Sequence, residues 1–181
     1  MRNGMKANEI KNALYSGQLS LSESLRRTQE LLTDSVCSEA FVWIRNELEG
    51  YADDAMLPEY RKIPCEVYVE YEHPIYGSRV EHADMQGVGE PNRKEFCTMY
   101  VAQGVEGIEA IVRRNVNEAT RVLIKDGKCN MILGAVYSQG QINKAYQQTK
   151  ISCMKRVLDA VRKQLMDILR EQIQQSENKD L

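Results

Sequence analysis

Trp43-Ile44-Arg45-Asn46-Glu47-Leu48-Glu49-Gly50-Tyr51, followed by Leu57-Pro58-Glu59-Tyr60-Arg61, decides how this chain is read. The stretch puts the single tryptophan, two tyrosines, a glycine stop and a proline on one helix end and the turn after it. Val36, Ala40, Ile44 and Leu48, with Phe41 and Trp43 flanking, recur at helical spacing up to Gly50. Glycine after the last periodic residue is where a left-handed cap belongs. In the structural reading Trp43 and Tyr51 anchor this helix on the core and Pro58 fixes the direction of the outgoing chain. Arg61 then pairs with Glu47 or caps helix carbonyls. In the competing reading Trp43, Glu47, Gly50, Tyr51, Pro58, Tyr60 and Arg61 form a recognition surface, because Trp, Tyr and Arg are enriched where partners bind.

Outward from the corner, the N-terminal side reads as helix. Ile10, Ala13 and Leu14 share a face ahead of Gly17, a C-terminal stop. Ser20-Leu21-Ser22-Glu23 fits a capping box, and Leu21, Leu25, Leu32 and Val36 continue an apolar stripe. Past Pro58 the period changes to two. Cys65, Val67, Val69 and Tyr71 alternate with Glu66, Tyr68, Glu70 and Glu72, which predicts a strand with one wet face. His73-Pro74 ends it, and Tyr76 to Val80 reads as a return strand.

Residues 82–95, with Gly87, Gly89 and Pro91, read as a mobile loop, and Phe96 to Ala102 as a short strand. A short helix carrying Ile108, Ile111 and Val112 follows Gly104-Val105-Glu106-Gly107. Arg121–Lys125 and Lys128–Leu133 flank Asp126-Gly127 as a predicted hairpin. From Gln141 to about Gln174 apolar residues recur at three- and four-residue steps, a helix with room for a break near Thr149 to Ser152. Residues 176–181 read as a disordered tail. The expectation is one α+β domain over residues 1–175, with N-terminal helices and a long C-terminal helix around a small, mainly antiparallel sheet.

At 181 residues the chain can bury a core without staples, and its net charge of −2 gives no general attraction to nucleic acid. No apolar run is long enough to span a bilayer and the N-terminus lacks a signal-peptide core, which predicts a cytoplasmic protein with no membrane contact. Cys37, Cys65, Cys97, Cys129 and Cys153 stand singly, as free thiols in a reducing compartment do.

The helix with Leu25, Arg26 and Leu31-Leu32, the Trp43-x-x-x-Glu47-Leu48-x-Gly50-Tyr51 run and Leu57-Pro58-x-Tyr60-Arg61 together resemble the AbiTii family of bacterial abortive-infection domains. A long C-terminal helix with Val161-Arg162 supports the resemblance. It implies a role in defence against bacteriophage and offers no catalytic set to carry over.

Three functions compete on these residues. The leading expectation is a non-enzymatic module acting through protein–protein contacts, with no cofactor and no metal. It assembles as a homo-oligomer, at least a dimer, through the C-terminal helix, whose apolar stripe exceeds what a small sheet covers, and it has room for a further defence protein as partner. The second is an effector enzyme, a nuclease or nucleotide-responsive toxin, gathering Glu70, His73, His82 and Asp84 around a metal. Against it, the two histidines border a loop, and Glu72 and Glu81 beside them suit a solvated surface. The third is a nucleic-acid-binding regulator using Arg113-Arg114, Arg121 and Lys125, or Lys150, Lys155, Arg156, Arg162 and Lys163. Glu109, Glu118, Asp159 and Asp167 interleave with these, which favours a solvated face and no nucleic acid. Gly104-x-x-Gly107 and Gly87-x-Gly89 read as turns rather than anion nests.

Overall fold

Ile10, Ala13 and Leu14 are buried along α1 (Ala7–Ser16), which Gly17 ends in a left-handed cap with φ 74°. This computed structural model describes residues 6–33, 38–52, 56–90, 92–114, 118–125, 128, 132 and 141–178. They fall into two compact units. The first comprises Met1–Tyr60, Ala102–Arg114 and Met154–Leu181; the second comprises Arg61–Val101 and Asn115–Cys153.

The first unit is helical. It holds α1, α2 (Leu21–Leu31), α3 (Glu39–Glu49), α5 (Val105–Arg114) and most of α6 (Ile151–Glu177). Ile10, Leu14, Leu21, Leu25, Leu32, Ile44, Val105, Val161, Leu165 and Leu169 form one buried cluster, with Trp43, Leu48 and Tyr60 packed against it. Ser20 Oγ accepts the Glu23 amide at 3.1 Å, as a cap should. Another of the unpaired donors at this helix start is satisfied from elsewhere. Glu109 of α5 accepts the Leu21 amide at 3.0 Å and the Ser22 hydroxyl at 2.7 Å. Glu23 instead pairs with Arg27 at 2.8 Å.

The second unit is built on an antiparallel sheet in the order β3-β2-β6-β5. Its strands are β2 (Glu66–His73), β3 (Gly77–His82), β5 (Ala119–Leu123) and β6 (Gln141–Lys150). A separate ladder pairs β1 (Lys62–Pro64) with β4 (Thr98–Tyr100). Val67, Val69, Ala83, Met85, Val88, Phe96, Ile124, Ile132 and Ala145 make its core. The α+β class is therefore as expected.

Four local expectations are corrected. Gln141–Lys150 is not the start of the last helix but a central strand, paired with β2 on one side and β5 on the other. The helix begins at Ile151, inside the region where a break was allowed, and runs through Glu177 into the expected tail. Residues 179–181 lie outside the described residues. The 82–95 segment is packed rather than loose: Ala83, Met85 and Val88 are buried, and α4 (Asn92–Phe96) follows the short turn Met85–Gly87. β5 pairs with β6, and Lys128 and Ile132, which the expected hairpin puts on a return strand, are helical; Asp126-Gly127 and the rest of that expected strand lie outside the described residues.

Val157, Val161, Leu165, Ile168 and Leu169 of α6 are buried within the chain, so the stripe expected to demand a second copy is already covered.

Candidate functional site

The corner after α3 is built from the helix inward. Ser38 caps α3 by accepting the Phe41 amide at 3.2 Å, which sets the phase of the helix. That phase turns Ile44 and Glu47 inward together. A fully buried carboxylate needs hydrogen-bond donors. Glu47 Oε1 accepts the Tyr51 hydroxyl and the Tyr60 hydroxyl, each at 2.7 Å. The Trp43 Nε1–H in turn donates to the Tyr60 oxygen at 2.9 Å.

Burial pushes the Tyr60 phenol up to about 12, helped by its hydrogen bond to Glu47 and by that group's negative charge; the Trp43 and Tyr51 hydrogen bonds oppose the rise. Tyr60 is therefore a protonated donor at any physiological pH. It holds the carboxylate in place rather than exchanging protons with it.

Gly50 does more than stop the helix. Its φ of 90° is one that side chains rarely adopt, but its ψ of 176° is extended, so the expected left-handed cap is not what forms. The chain turns so that the Tyr51 amide donates to the Ala102 carbonyl at 2.8 Å. A Cβ on Gly50 would stand 2.7 Å from that carbonyl oxygen, and one on Gly104 would stand 2.3 Å from the Leu48 carbonyl oxygen. Gly104 is thus needed for backbone contact with α3, which supports the turn reading over the anion nest.

Pro58 is half-buried just ahead of the turn Glu59–Arg61. Arg61 opens the second unit, where it is fully buried. Its guanidinium NH1 donates to the Val101 carbonyl at 2.7 Å, and its own carbonyl accepts the Val101 amide at 2.9 Å. The carbonyl held is one of the chain leaving β4, not a helix end. Six of the corner residues make the contacts just given, Arg61 within the second unit and Trp43, Glu47, Gly50, Tyr51 and Tyr60 within the first, whereas Pro58 is placed by its half-burial alone.

The residues of the enzyme alternative are not gathered. His73 and His82 lie opposite Gly77 and Tyr68, five register steps apart and so roughly 17 Å along the hairpin. His73 Nδ1 accepts the Ile75 amide at 3.2 Å and the Tyr76 amide at 3.3 Å, and its ring lies tilted against that of Tyr76 with centroids 4.7 Å apart. His82 meets Tyr68 edge-on at 5.4 Å. Glu70 accepts the Tyr146 hydroxyl at 2.7 Å, and Asp84 caps the Gln86 amide at 3.0 Å. Among the described residues no three His, Cys, Asp or Glu side chains form a group that could hold a metal ion. On α6, Lys155, Arg156, Arg162 and Lys163 are exposed together with Asp159 and Asp167, as a solvated face is.

Two features escaped the sequence reading. One is Glu109, whose capping duty is 88 positions from Leu21 and carries no local signal. The other is the outward face of the sheet, where Tyr68 and Tyr146 lie opposite one another on β2 and β6 and the Arg121 guanidinium lies 5.6 Å from the Tyr68 ring.

An α+β chain with a helical unit, an antiparallel-sheet unit and a Trp–Tyr–Glu–Tyr network around one buried carboxyl group defines the class. A family model, AbiTii, matches residues 7–180, nearly the whole length, and the chain belongs to that family. Membership places it in abortive infection, the defence of bacteria against phage. Comparisons with curated proteins and with solved structures give no match. No described helix is long and apolar enough to cross a membrane.

Proposed function

We propose that this AbiTii chain is a non-enzymatic module of phage defence that acts in the cytoplasm by contact with other polypeptides, including copies of itself. The observation that carries the reading is the division of labour between corner and sheet. Within the corner the polar groups of Trp43, Glu47, Tyr51 and Tyr60 bond to one another, with Glu47 buried beneath two tyrosine hydroxyls. On the second unit large apolar side chains stand exposed along one hairpin, at the turn between β2 and β3 and on β3 itself: Ile75 at 79 %, Tyr76 at 64 % and Val80 at 48 %. Clustered exposure of this kind is what a contact surface for protein offers.

A phage challenge tests it. Cells that rely on this chain for protection receive variants I75S and Y76S, chosen because neither side chain contributes to a core. Loss of protection with an unchanged melting curve supports contact through this surface. Full protection by the double variant removes its support.

A further inference from the structure

Strand β3 is an edge of its sheet: Ser78, Arg79, Val80, Glu81 and His82 are all exposed, and among the described residues no strand pairs with its outer side. Unprotected edges recruit other strands, and proteins commonly guard them with charge. Here the charges flank Val80, with the cation Arg79 on one side and the anion Glu81 on the other.

We infer that β3 pairs antiparallel with β3 of a second copy, about a two-fold axis at Val80, joining two sheets into one. The inference rests on the reading of this chain as an assembly module and supplies its surface. The backbone parity permits it. The Ala83 amide donates to the Val67 carbonyl at 2.8 Å, and the register pairs His82 with Tyr68 and Glu81 with Val69. Ladder bonds alternate along an antiparallel pair, so Gly77, Arg79 and Glu81 bond to β2. Ser78, Val80 and His82 then direct their N–H and C=O groups to the free edge.

Only registers that oppose outward-facing residues to one another make hydrogen bonds, which leaves three centred on the strand. Centring on Arg79 sets it against its own copy, and centring on Glu81 does the same with two carboxylates. Centring on Val80 sets Arg79 against Glu81 of the second copy twice over, at the closer-spaced non-hydrogen-bonded positions. Charge therefore selects one register of the three. Both side chains are already oriented, the Arg79 guanidinium 5.3 Å from the Tyr76 ring and the Glu81 carboxylate accepting the Tyr71 hydroxyl at 2.7 Å. Val80, exposed on the opposite face, meets its own copy across the axis. A single strand pair is a small interface, so the association belongs in the micromolar range.

Sedimentation velocity on the full chain across the micromolar range is the test. The wild type is expected to form a dimer. R79E and E81R each turn both cross-copy pairs repulsive and are expected to weaken it roughly tenfold or more. The double exchange R79E/E81R restores opposite charges and is expected to recover the dimer. V80P guards against loss of folding: its amide faces the free edge, where proline is tolerated, so the monomer keeps its melt and the dimer is lost. A monomeric wild type, a dimer indifferent to both single reversals, or a double exchange that fails to restore association overturns the proposal. A monomeric wild type that still protects cells would leave contact with a different protein standing, and so separates failure of this dimer from failure of the proposed function.

Discussion

Replacing Tyr60 by Phe tests the corner with a change of one oxygen. The hydroxyl removed donates to Glu47 at 2.7 Å and accepts from Trp43 at 2.9 Å. The first bond is to a buried carboxylate and is worth about 1.5–3 kcal/mol; a neutral bond is worth about 0.5–1.5 kcal/mol. Tyr60 and Trp43 are half-buried, so water can partly replace what is lost, and Glu47 keeps the Tyr51 hydroxyl. We expect Y60F to cost about 2–3 kcal/mol, at the lower part of that sum. Equilibrium unfolding in urea, followed by the fluorescence of Trp43, reads the first unit because it holds the single tryptophan. The midpoint should fall with little change in slope. A double-mutant cycle with W43F isolates the indole bond, with a coupling of about 0.5–1.5 kcal/mol expected. A cost for Y60F under about 0.5 kcal/mol, or zero coupling, would refute the network as a stabilising unit.

Other perturbations follow from the same contacts. G104A should cost about 2–4 kcal/mol because a Cβ there meets the Leu48 carbonyl oxygen at 2.3 Å; G89A, which meets nothing within 4 Å, should be close to neutral by thermal melting. E109A leaves the start of α2 without its long-range acceptor and should cost about 1–2 kcal/mol, visible as faster hydrogen exchange of the Leu21 amide. Alkaline titration should find stability loss as pH rises from about 9 toward 12, because burial raises the Cys65 thiol from 9.0 to about 12 and the Tyr60 phenol from 10.0 to about 12. Both folded values lie above the unfolded ones, so the stabilisation is complete at lower pH and is lost as pH climbs through them. C65A should remove the part of the slope that begins near 9, and a profile unchanged in C65A contradicts the assignment.

The first three helices were legible because each has a local terminator or cap beside an apolar stripe: Gly17 for α1, Ser20 for α2 and Gly50 for α3, while the Ser38 cap of α3 was not read. Strand β2 was legible for the matching reason, since one face is wet and alternation survives. Strand β6 was not. The register shift between Glu70 and Tyr71 places Asn143 out of step, so Ile142 and Ala145, three apart, both reach the core. That spacing imitates a helix. The strand also carries polar residues whose partners are distant carbonyls: half-buried Gln147 donates to Phe96 and Thr98 at 2.8 and 3.0 Å, and buried Thr149 to Pro64 at 2.8 Å. Nothing in Gln141–Lys150 itself announces those acceptors. The corner's membership was readable, whereas its wiring was not: the convergence of Tyr51 and Tyr60 on one Glu47 oxygen depends on where the chain returns after Pro58.

Phage plating on cells that depend on this chain, carrying Y60F at a temperature where its own melt shows it folded, bears most directly on the corner as an internal support. The account predicts protection equal to wild type, since the hydroxyl serves only to hold Glu47 and Trp43. Loss of protection by protein that remains folded and abundant would contradict it and make the Tyr60 hydroxyl a functional group.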